Sequence, residues 1–296
     1  MADERLTCQP VIIIGAPRSG TNMLRDGLAR LDDFHTWPCD EINFVWKHGN
    51  LSYLGDDLRP DHIKPQTRRF VVSQFEKMAR ESGAHFIVEK TCANSVRVAF
   101  VDALVPEAKY ILLVRNGRDA VASTIKRWQA PSSSLGYLWQ KFKFVAPADR
   151  MRVLGEALNK RIGGVLGRQD KAWKTWGPVF PELTQALVEN RPLAEICALQ
   201  WAHCVKRAVA DLETMEPSRW TVVEYEKFVS NPAGELMKVL GFLGASISET
   251  QVRAAVSGVH ATSIGNSSRH LDAASLEAID SVIAACGVDI SSIAGS

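Results

Sequence analysis

The sequence GAPRSGTN follows the apolar run VIII and places glycines, a cation, hydroxyl groups and an amide just before a helical pattern. A nucleoside-triphosphate loop has the pattern G-x-x-x-x-G-K-[ST], in which the lysine reaches the terminal phosphates and the hydroxyl binds magnesium. Gly15 and Gly20 keep this glycine spacing, and Arg18 supplies a cation inside the loop. Thr21 takes the lysine position, and Asn22 takes the hydroxyl position. The loop therefore has residues that can hold a phosphate, but it lacks those of a triphosphate hydrolase.

A loop between a strand and a helix directs its backbone N–H groups toward one point, and the helix dipole favours an anion there. A tight turn without a ligand is the alternative for any pair of glycines. The cation and the hydroxyl groups favour the anion site. We therefore predict that the loop binds a phosphate through Pro17, Arg18, Ser19, Gly20, Thr21 and Asn22.

A second candidate anion site lies in YILLVRNGRDAVAST, where Arg115 follows an apolar run and Ser123 lies about two turns into the next helical pattern. The carboxyl ends of parallel strands meet at one edge of a sheet, where ligands bind. We therefore expect a guanidinium and a hydroxyl group beside the first loop. Two neighbouring anion sites suit a nucleotide that is phosphorylated at both ends.

Four short runs rich in Val, Ile and Leu predict strands that are buried on both faces, namely VIIIG, HFIVEK, KYILLVRN and WTVVEYE. Each run is followed by a helical pattern, and the last pattern has Asn231 as N-cap, Pro232 at its first position and Gly244 near its end. Residues 191–216 predict a long amphipathic helix, and residues 257–270 a polar loop before a final helix. This alternation predicts an α/β fold with a central parallel sheet flanked by helices.

The composition of the 296 residues, 46% hydrophobic and 23% charged with a net charge of +2, is that of a globular protein and indicates no particular partner. No apolar run reaches the length of about 18 residues that a membrane span needs. The polar start MADERLTCQP is unlike a secretory signal. We therefore expect a cytoplasmic protein without a transmembrane segment. The six cysteines show neither C-x-x-C pairs nor zinc-ligand spacing, which predicts buried thiols and no metal site.

Residues 129–174 differ from the rest of the chain in charge. They hold nine Lys and Arg against three Asp and Glu, a net charge of +6, whereas the remaining residues sum to −4. The segment also carries five aromatic residues, Tyr137, Trp139, Phe142, Phe144 and Trp173. We predict one domain with its core at residues 8–128 and 191–296, interrupted by a helical, basic and aromatic insertion at about 129–190.

These elements, in this order, resemble the sulfotransferases that use 3′-phosphoadenosine 5′-phosphosulfate. The resemblance covers residues 15–22, the EKT at 89–91, the block 110–124, the VVEYEKFVSNP at 222–232 and, more weakly, the loop near Arg269. It implies a P-loop-NTPase-like fold with a helical acceptor-binding insertion. It also implies metal-free, in-line transfer of a sulfuryl group from that nucleotide to an acceptor hydroxyl.

The resemblance implies roles for single residues as well. The first loop holds the 5′-phosphosulfate, while Arg115 and Ser123 bind the 3′-phosphate. Arg18 and Lys90 are catalytic, because they stabilise the charge that develops on the leaving phosphate.

Two further elements have counterparts in related enzymes. Tyr225, at the end of the last predicted strand, corresponds to a tyrosine on the adenine or 3′-phosphate side, although an aromatic residue there is as often part of a core. Ser268 and Arg269 in SIGNSSRHL take the place of a late basic loop that closes over the 3′-phosphate. The resemblance thus adds all three residues to the predicted cofactor site.

The proton acceptor departs from the best-known pattern of the family. Aryl and steroid sulfotransferases place a histidine two residues after the lysine, whereas EKTCANS has Cys92 there, and a thiol is a poor base in this setting. Branches with a carboxylate base carry a glutamate shortly after the first helix, which implies Glu41 in PCDEINFVW as the catalytic base. We expect a dry site to raise its pKa and the Asp40 side chain to point elsewhere, while His35 and His48 stay open as competitors.

The insertion, with Trp176 and Phe180 just beyond its basic part, suits an anionic acceptor with faces for stacking, so a carbohydrate or glycolipid is the predicted acceptor. A protein tyrosine, a small phenol or alcohol, and a helical cap without a ligand are the alternatives. A non-catalytic nucleotide-binding protein, a nucleotide kinase-like protein and a nucleic-acid module are the competing classes, and the last would bind with a steep salt dependence. We expect no nucleic-acid partner, and a homodimer stays open.

Overall fold

A five-stranded parallel sheet forms the centre of the protein, as the apolar runs predict. The structure, a computed structural model, describes residues 6–130, 141–155 and 176–294. The strands lie in the order β2-β3-β1-β4-β5. Their bounds are Gln9–Ile14 (β1), Phe34–Thr36 (β2), Phe86–Glu89 (β3), Lys109–Val114 (β4) and Trp220–Glu224 (β5).

Helices pack on both faces of this sheet. Those with fully described bounds are Thr21–Leu28 (α1), Asn43–Trp46 (α2), Pro65–Ser82 (α3), Val98–Leu104 (α4), Gly117–Gln129 (α5), Pro181–Val188 (α6), Leu193–Leu212 (α7), Tyr225–Ser230 (α8), Pro232–Leu243 (α9), Glu249–Ala255 (α10), Asn266–His270 (α11), Ala273–Cys286 (α12) and Ile290–Ala294 (α13). A short 3-10 helix, Cys92–Val96, follows β3.

Side chains of β1 and β4 alternate between two apolar layers. Ile12 and Leu112 belong to the layer formed with α2, α3 and α4. Val11 and Ile111 belong to the layer formed with α1, α8, α9 and α10. Because both faces are covered, these strands are continuous apolar runs rather than alternating ones.

The strand register brings the carboxyl ends of the longer strands to one edge. Ile12 of β1 pairs with Glu89, the last residue of β3, and Val114, the last residue of β4, pairs with Glu224. The segments that follow β1, β3, β4 and β5 therefore lie side by side. Open parallel sheets bind ligands at this edge.

Most predicted elements are confirmed. The four apolar runs form β1, β3, β4 and β5, and the predicted long helix is α7. The predicted polar loop at 257–270 contains the short helix α11. The division into a core and an insertion stays a prediction, because residues 131–140 and 156–175 lie outside the described residues.

Candidate active site

The β1–α1 loop has a backbone conformation that depends on glycine. Arg18 and Gly20 both have positive φ angles, 66° and 95°. A Cβ atom on Gly20 would lie 2.5 Å from a carbon of the Tyr225 ring, so a larger residue does not fit there. A positive φ at a residue other than glycine costs free energy, and such residues are concentrated at functional sites. Arg18 is a residue of this kind.

The other loop residues differ in their exposure. Pro17, Ser19 and Thr21 are buried, whereas Asn22 is exposed in the first turn of α1. Ser19 Oγ is buried without a hydrogen-bond partner among the described residues. The loop thus combines a rigid backbone with an unpaired polar atom.

Arg115, directly after β4, is the centre of the second predicted anion site. Its guanidinium lies over the Tyr225 ring, 4.2 Å from the ring centroid. It donates to the carbonyl oxygens of Arg18 and Ser263 at 2.8 and 2.9 Å. Ser123 Oγ accepts from Arg18 Nε at 3.0 Å. The predicted residues do lie together, but Arg115 and Ser123 are connected through Arg18.

Lys90 follows β3 and is only 4% exposed. Its Nζ lies 3.1 Å from both Glu41 Oε1 and Asp40 Oδ1. The Cys92 N–H also donates to Glu41 Oε1, at 3.2 Å, and Arg25 of α1 pairs with Asp40 at 3.1 Å. The prediction that Asp40 points elsewhere is wrong: residues 40–42 are not in a strand, so neighbouring side chains need not alternate.

The charges of this cluster set its pKa values. Burial alone would raise the pKa of Glu41, but Lys90 and Lys141 outweigh burial and hold it below its usual value. Burial opposes ionisation of Asp40 too, yet Lys90 and Arg25 lower its pKa to about 2. Burial disfavours the Lys90 ammonium, and the two carboxylates nevertheless hold its pKa above the ordinary value. The expected rise in the Glu41 pKa is therefore wrong, because the dry site is also a charged one.

Of the competing bases, Cys92 remains protonated and His48 is engaged elsewhere. Burial and the nearby Glu41 raise the pKa of the Cys92 thiol, so it stays protonated at neutral pH. His48 Nδ1 lies 2.6 Å from Asp149 Oδ2. In the described part of the chain, neither His48 nor His35 hydrogen-bonds to Lys90. Glu41 and Asp40 are thus the carboxylates in contact with the lysine.

A protein-family model, the sulfotransferase domain, matches residues 9–261. The protein belongs to the sulfotransferase family. The match includes the β1–α1 loop, the Lys90 cluster and Arg115. Among curated proteins, no sequence matches the chain significantly.

Solved structures agree with the fold of this sulfotransferase. The sulfotransferase STF9 from Mycobacterium avium superimposes with a TM-score of 0.56 at 12% identity, covering 95% of this chain and 76% of that chain. The sulfotransferase STF1 from Mycobacterium tuberculosis H37Rv gives a TM-score of 0.51 at 12% identity, with 96% and 78% covered. At these identities the likeness shows a shared fold, that of a P-loop-like parallel sheet flanked by helices.

Asp119 of α5 anchors the C-terminal loop of the sulfotransferase. Its two carboxylate oxygens accept the backbone N–H groups of Gly265 and Ser267 at 2.6 and 2.8 Å. The exposed Ser268 and Arg269 donate to carbonyl oxygens within the same loop. Sequence reasoning missed Asp119, whose partners lie 146 and 148 residues away. The loop that carries two predicted cofactor residues is therefore held by α5.

A buried carboxyl lies next to Lys90 in the sequence of the sulfotransferase. Glu89, 1% exposed, accepts hydrogen bonds from Thr91 Oγ1 at 2.5 Å and from Asn94 Nδ2 at 2.8 Å. Burial raises its pKa to about 7, although the bond from Thr91 opposes this rise. Thr91 Oγ1 also accepts the Ile42 N–H at 3.1 Å. Glu89 is thus linked to the backbone beside Glu41.

A buried arginine extends this network toward the insertion. Arg97, fully buried, donates to Asn94 at 2.9 Å and to Asn43 at 2.6 Å, and lies 3.9 Å from Asp56 Oδ1. Asp56 Oδ2 in turn accepts the Val179 N–H at 3.0 Å. Sequence reasoning missed these residues, although an arginine inside the apolar run SVRVAFV was an available signal. The network thus connects Asn94, in the segment after β3, to Val179 in the insertion.

The aromatic residues near the insertion do not all face a ligand. Phe180 is 1% exposed and stacks on His203 with ring centroids 3.8 Å apart, so the expectation that it stacks on an acceptor is wrong. The Trp176 ring lies 5.6 Å from the Arg127 guanidinium. Tyr137, Trp139 and Trp173 lie outside the described residues.

None of the described helices of the sulfotransferase is long and apolar enough to cross a membrane. In the same part of the chain, no group of His, Cys, Asp and Glu is arranged to hold a metal ion. Metal-free transfer, the cytoplasmic location and the homodimer all stay predictions.

Proposed function

We propose that this sulfotransferase moves a sulfuryl group from 3′-phosphoadenosine 5′-phosphosulfate to a hydroxyl group of a carbohydrate or glycolipid. The observation that best supports this is the contact between the Lys90 ammonium and the Glu41 carboxylate, 3.1 Å apart after β3. It pairs a cation with a proton acceptor at the edge of the sheet that also carries the β1–α1 loop. A phosphate leaving group needs the cation, and a hydroxyl acceptor needs the base.

The residues of the predicted donor site fit an anionic nucleotide. Ser19 Oγ and Arg115 Nε are buried without a hydrogen-bond partner among the described residues. Such atoms cost about 1–3 kcal/mol each when they stay unpaired, and phosphate oxygens would offset that cost. Arg18 adds an exposed positive charge to the same loop. When bound, the donor supplies an activated sulfuryl group.

Lys90 stabilises charge on the leaving phosphate in this proposal, and Arg18 assists it. An ammonium has three N–H donors, and Asp40 and Glu41 account for two of those of Lys90 in the described part of the chain. The third serves the leaving oxygen. Because Lys90 is shielded from water, its charge acts more strongly than it would in solution.

Glu41 accepts the proton of the acceptor hydroxyl. Its lowered pKa keeps it ionised, and therefore able to accept, at neutral pH. A carboxylate of low pKa is a weak base, so the proton moves while the hydroxyl oxygen attacks rather than beforehand. Asp40 also contacts Lys90, but it pairs with Arg25 as well, which favours Glu41 as the base.

The charge near the carboxylate pair supports an anionic acceptor. Lys141, in the insertion, lowers the pKa of both Glu41 and Asp40, so its positive charge acts where the acceptor hydroxyl must come. The segment 129–174 has a net charge of +6. A carboxylated or sulfated polysaccharide or an acidic glycolipid matches this charge. An acidic peptide with a tyrosine shares the property, whereas a neutral phenol does not.

A transfer assay with radiolabelled donor tests the acceptor class. The panel is a partly desulfated heparan chain, an acidic glycolipid, an acidic tyrosine peptide and nitrophenol. We expect label in the polysaccharide or the glycolipid. Label only in the peptide or the phenol would refute this acceptor class, and label in none of them would contradict the proposed activity.

A thermal-shift comparison tests the donor separately. We expect 3′-phosphoadenosine 5′-phosphate to raise the melting temperature, because a ligand that binds the folded state stabilises it according to its affinity. ATP with magnesium is the comparison ligand. Stabilisation by ATP alone would overturn the proposed donor.

A further inference from the structure

Four contacts join the segment after β3 to residues 40–42, the segment that carries the base, and one of them runs from Lys90 Nζ to Asp40 Oδ1 at 3.1 Å. Lys90 Nζ and the Cys92 N–H both donate to Glu41 Oε1, at 3.1 and 3.2 Å. The fourth contact involves neither carboxylate, because the Ile42 N–H donates to Thr91 Oγ1 at 3.1 Å. Residues 40–42 belong to no helix or strand, so contacts of this kind determine where Glu41 lies.

These contacts respond differently when Glu41 takes up a proton. The bond between Lys90 and Glu41 is charge-assisted, and such bonds are roughly twice as strong as neutral ones. Protonation of the carboxylate removes that advantage. The bond between Ile42 and Thr91 joins a backbone amide to a hydroxyl, and neither group titrates near neutral pH. It therefore keeps its strength when the charge of Glu41 changes.

Thr91 is itself fixed from the opposite side. Its side chain is completely buried, and its hydroxyl donates to Glu89 Oε1 at 2.5 Å. Asn94 holds the other carboxylate oxygen of Glu89 at 2.8 Å. A hydroxyl has one proton to donate and two lone pairs that accept. Donation to Glu89 therefore turns a lone pair toward the Ile42 N–H.

We infer that Thr91 is a positioning residue, whose hydroxyl holds the backbone next to Glu41 in place while the Glu41 carboxylate changes charge. The inference rests on the proposed role of Glu41 as the base. A base that is displaced by about 1 Å loses about 100-fold in rate, so a single hydrogen bond at this position matters for turnover.

The test compares Thr91→Val, which removes the hydroxyl and nearly keeps the shape, with Thr91→Ser, which keeps the hydroxyl. Ser95→Ala is the matched control, because Ser95 is a buried hydroxyl in the same segment that donates to the Cys92 carbonyl oxygen, at 2.7 Å, and not to residues 40–42. Thr91→Ala is a second variant in case the valine variant does not fold. The readouts are hydrogen exchange of the Ile42 amide and steady-state kinetics with the panel acceptor that the wild type uses best.

We expect Thr91→Val to speed exchange of the Ile42 amide at least about tenfold, because the amide loses its partner. Its kcat should fall about 10- to 100-fold with an unchanged KM for the donor. Thr91→Ser and Ser95→Ala should keep both values close to those of the wild type. A purely structural role would instead change the KM for the donor together with kcat.

An unchanged kcat in Thr91→Val would overturn the inference, and so would an equal loss of kcat in Thr91→Ser. Wild-type protein that transfers no sulfuryl group to any panel member would refute the proposed function. The role of Thr91 in turnover would then fall with it, even if the Ile42 amide exchanged faster in the valine variant.

Discussion

Replacing Glu89 by Gln tests whether titration of this buried carboxyl, next to Lys90, makes the free energy of unfolding depend on pH. Burial raises the pKa of Glu89 from its ordinary value of 4.5 to about 7. Gln nearly keeps the shape, and its amide can accept from Asn94 and donate to Thr91 Oγ1. The variant therefore keeps the packing and removes the titration.

The sign of the pH effect follows from proton linkage. Between the two pKa values the folded protein keeps a proton on Glu89 that the unfolded chain has lost, so the free energy of unfolding falls as pH rises. The pKa difference corresponds to about 3 kcal/mol, most of which is lost between pH 5 and pH 8. The Glu89→Gln variant has no carboxyl to titrate at this position, so it does not lose this stability as pH rises. Its free energy of unfolding should therefore exceed that of the wild type by an increasing margin as pH rises.

Urea unfolding at several pH values, followed by tryptophan fluorescence, measures this margin. Subtracting the wild type from the variant cancels the titration of all other groups. Glu277→Gln, at an exposed carboxyl, is the control and should leave the shape of the pH curve unchanged. A difference that stays flat from pH 5 to pH 8, or that shrinks, would refute the argument from burial.

Four further variants test the candidate site. Glu41→Gln should lower kcat about 10²- to 10⁴-fold and leave donor affinity unchanged, whereas Asp40→Asn should retain more activity; the reverse order would move the base to Asp40. Asp119→Asn should weaken the hydrogen bonds that hold the C-terminal loop by about 1.5–3 kcal/mol. The Kd for 3′-phosphoadenosine 5′-phosphate, measured by calorimetry, should then rise about tenfold or more. An unchanged Kd would contradict the anchoring role. Gly20→Ala should lower the free energy of unfolding by at least about 1–2 kcal/mol because of its left-handed conformation, and it should also impair donor binding. Gly258→Ala is its control, since a Cβ atom there meets nothing within 4 Å, and equal losses in the two variants would contradict the account.

Local patterns predict the elements that lie in the middle of the sheet. The four longer strands are continuous apolar runs, because both of their faces are covered. The helix α9 begins after the predicted cap, Asn231, whose side chain accepts the Gly234 N–H, and ends at Gly244 with a φ of 78°. Caps and apolar runs are local properties, so one sequence suffices to recognise them.

Several elements were missing from the prediction, and β2 and α3 were missed for different reasons. The edge strand β2 has only the three residues FHT, which is too short for a recognisable pattern. The helix α3 carries clear signals, with Pro65 at its first turn, Gly83 at its end, and Val71, Phe75 and Met78 buried at helical spacing. These signals are local, so the sequence alone contains enough information to predict α3.

The contacts within the candidate site are harder to predict than its members. Family resemblance points to Arg18, Lys90, Glu41 and Arg115, and these residues follow or face the sheet edge where such a site belongs. It does not reveal that Asp40 shares the lysine. That contact depends on the irregular path of residues 40–42, and irregular backbone has no period from which the direction of a side chain follows.

The low pKa of Glu41 and its proposed role as a base are compatible because both depend on Lys90. At rest the ammonium stabilises the Glu41 carboxylate and lowers its pKa. In the proposed reaction, negative charge grows on the leaving phosphate and competes for the same ammonium. The hold of Lys90 on Glu41 then weakens, and the carboxylate becomes more basic while the acceptor hydroxyl loses its proton. One buried lysine would thus couple departure of the phosphate to removal of the proton, and a base without such a partner would have to be strong from the outset.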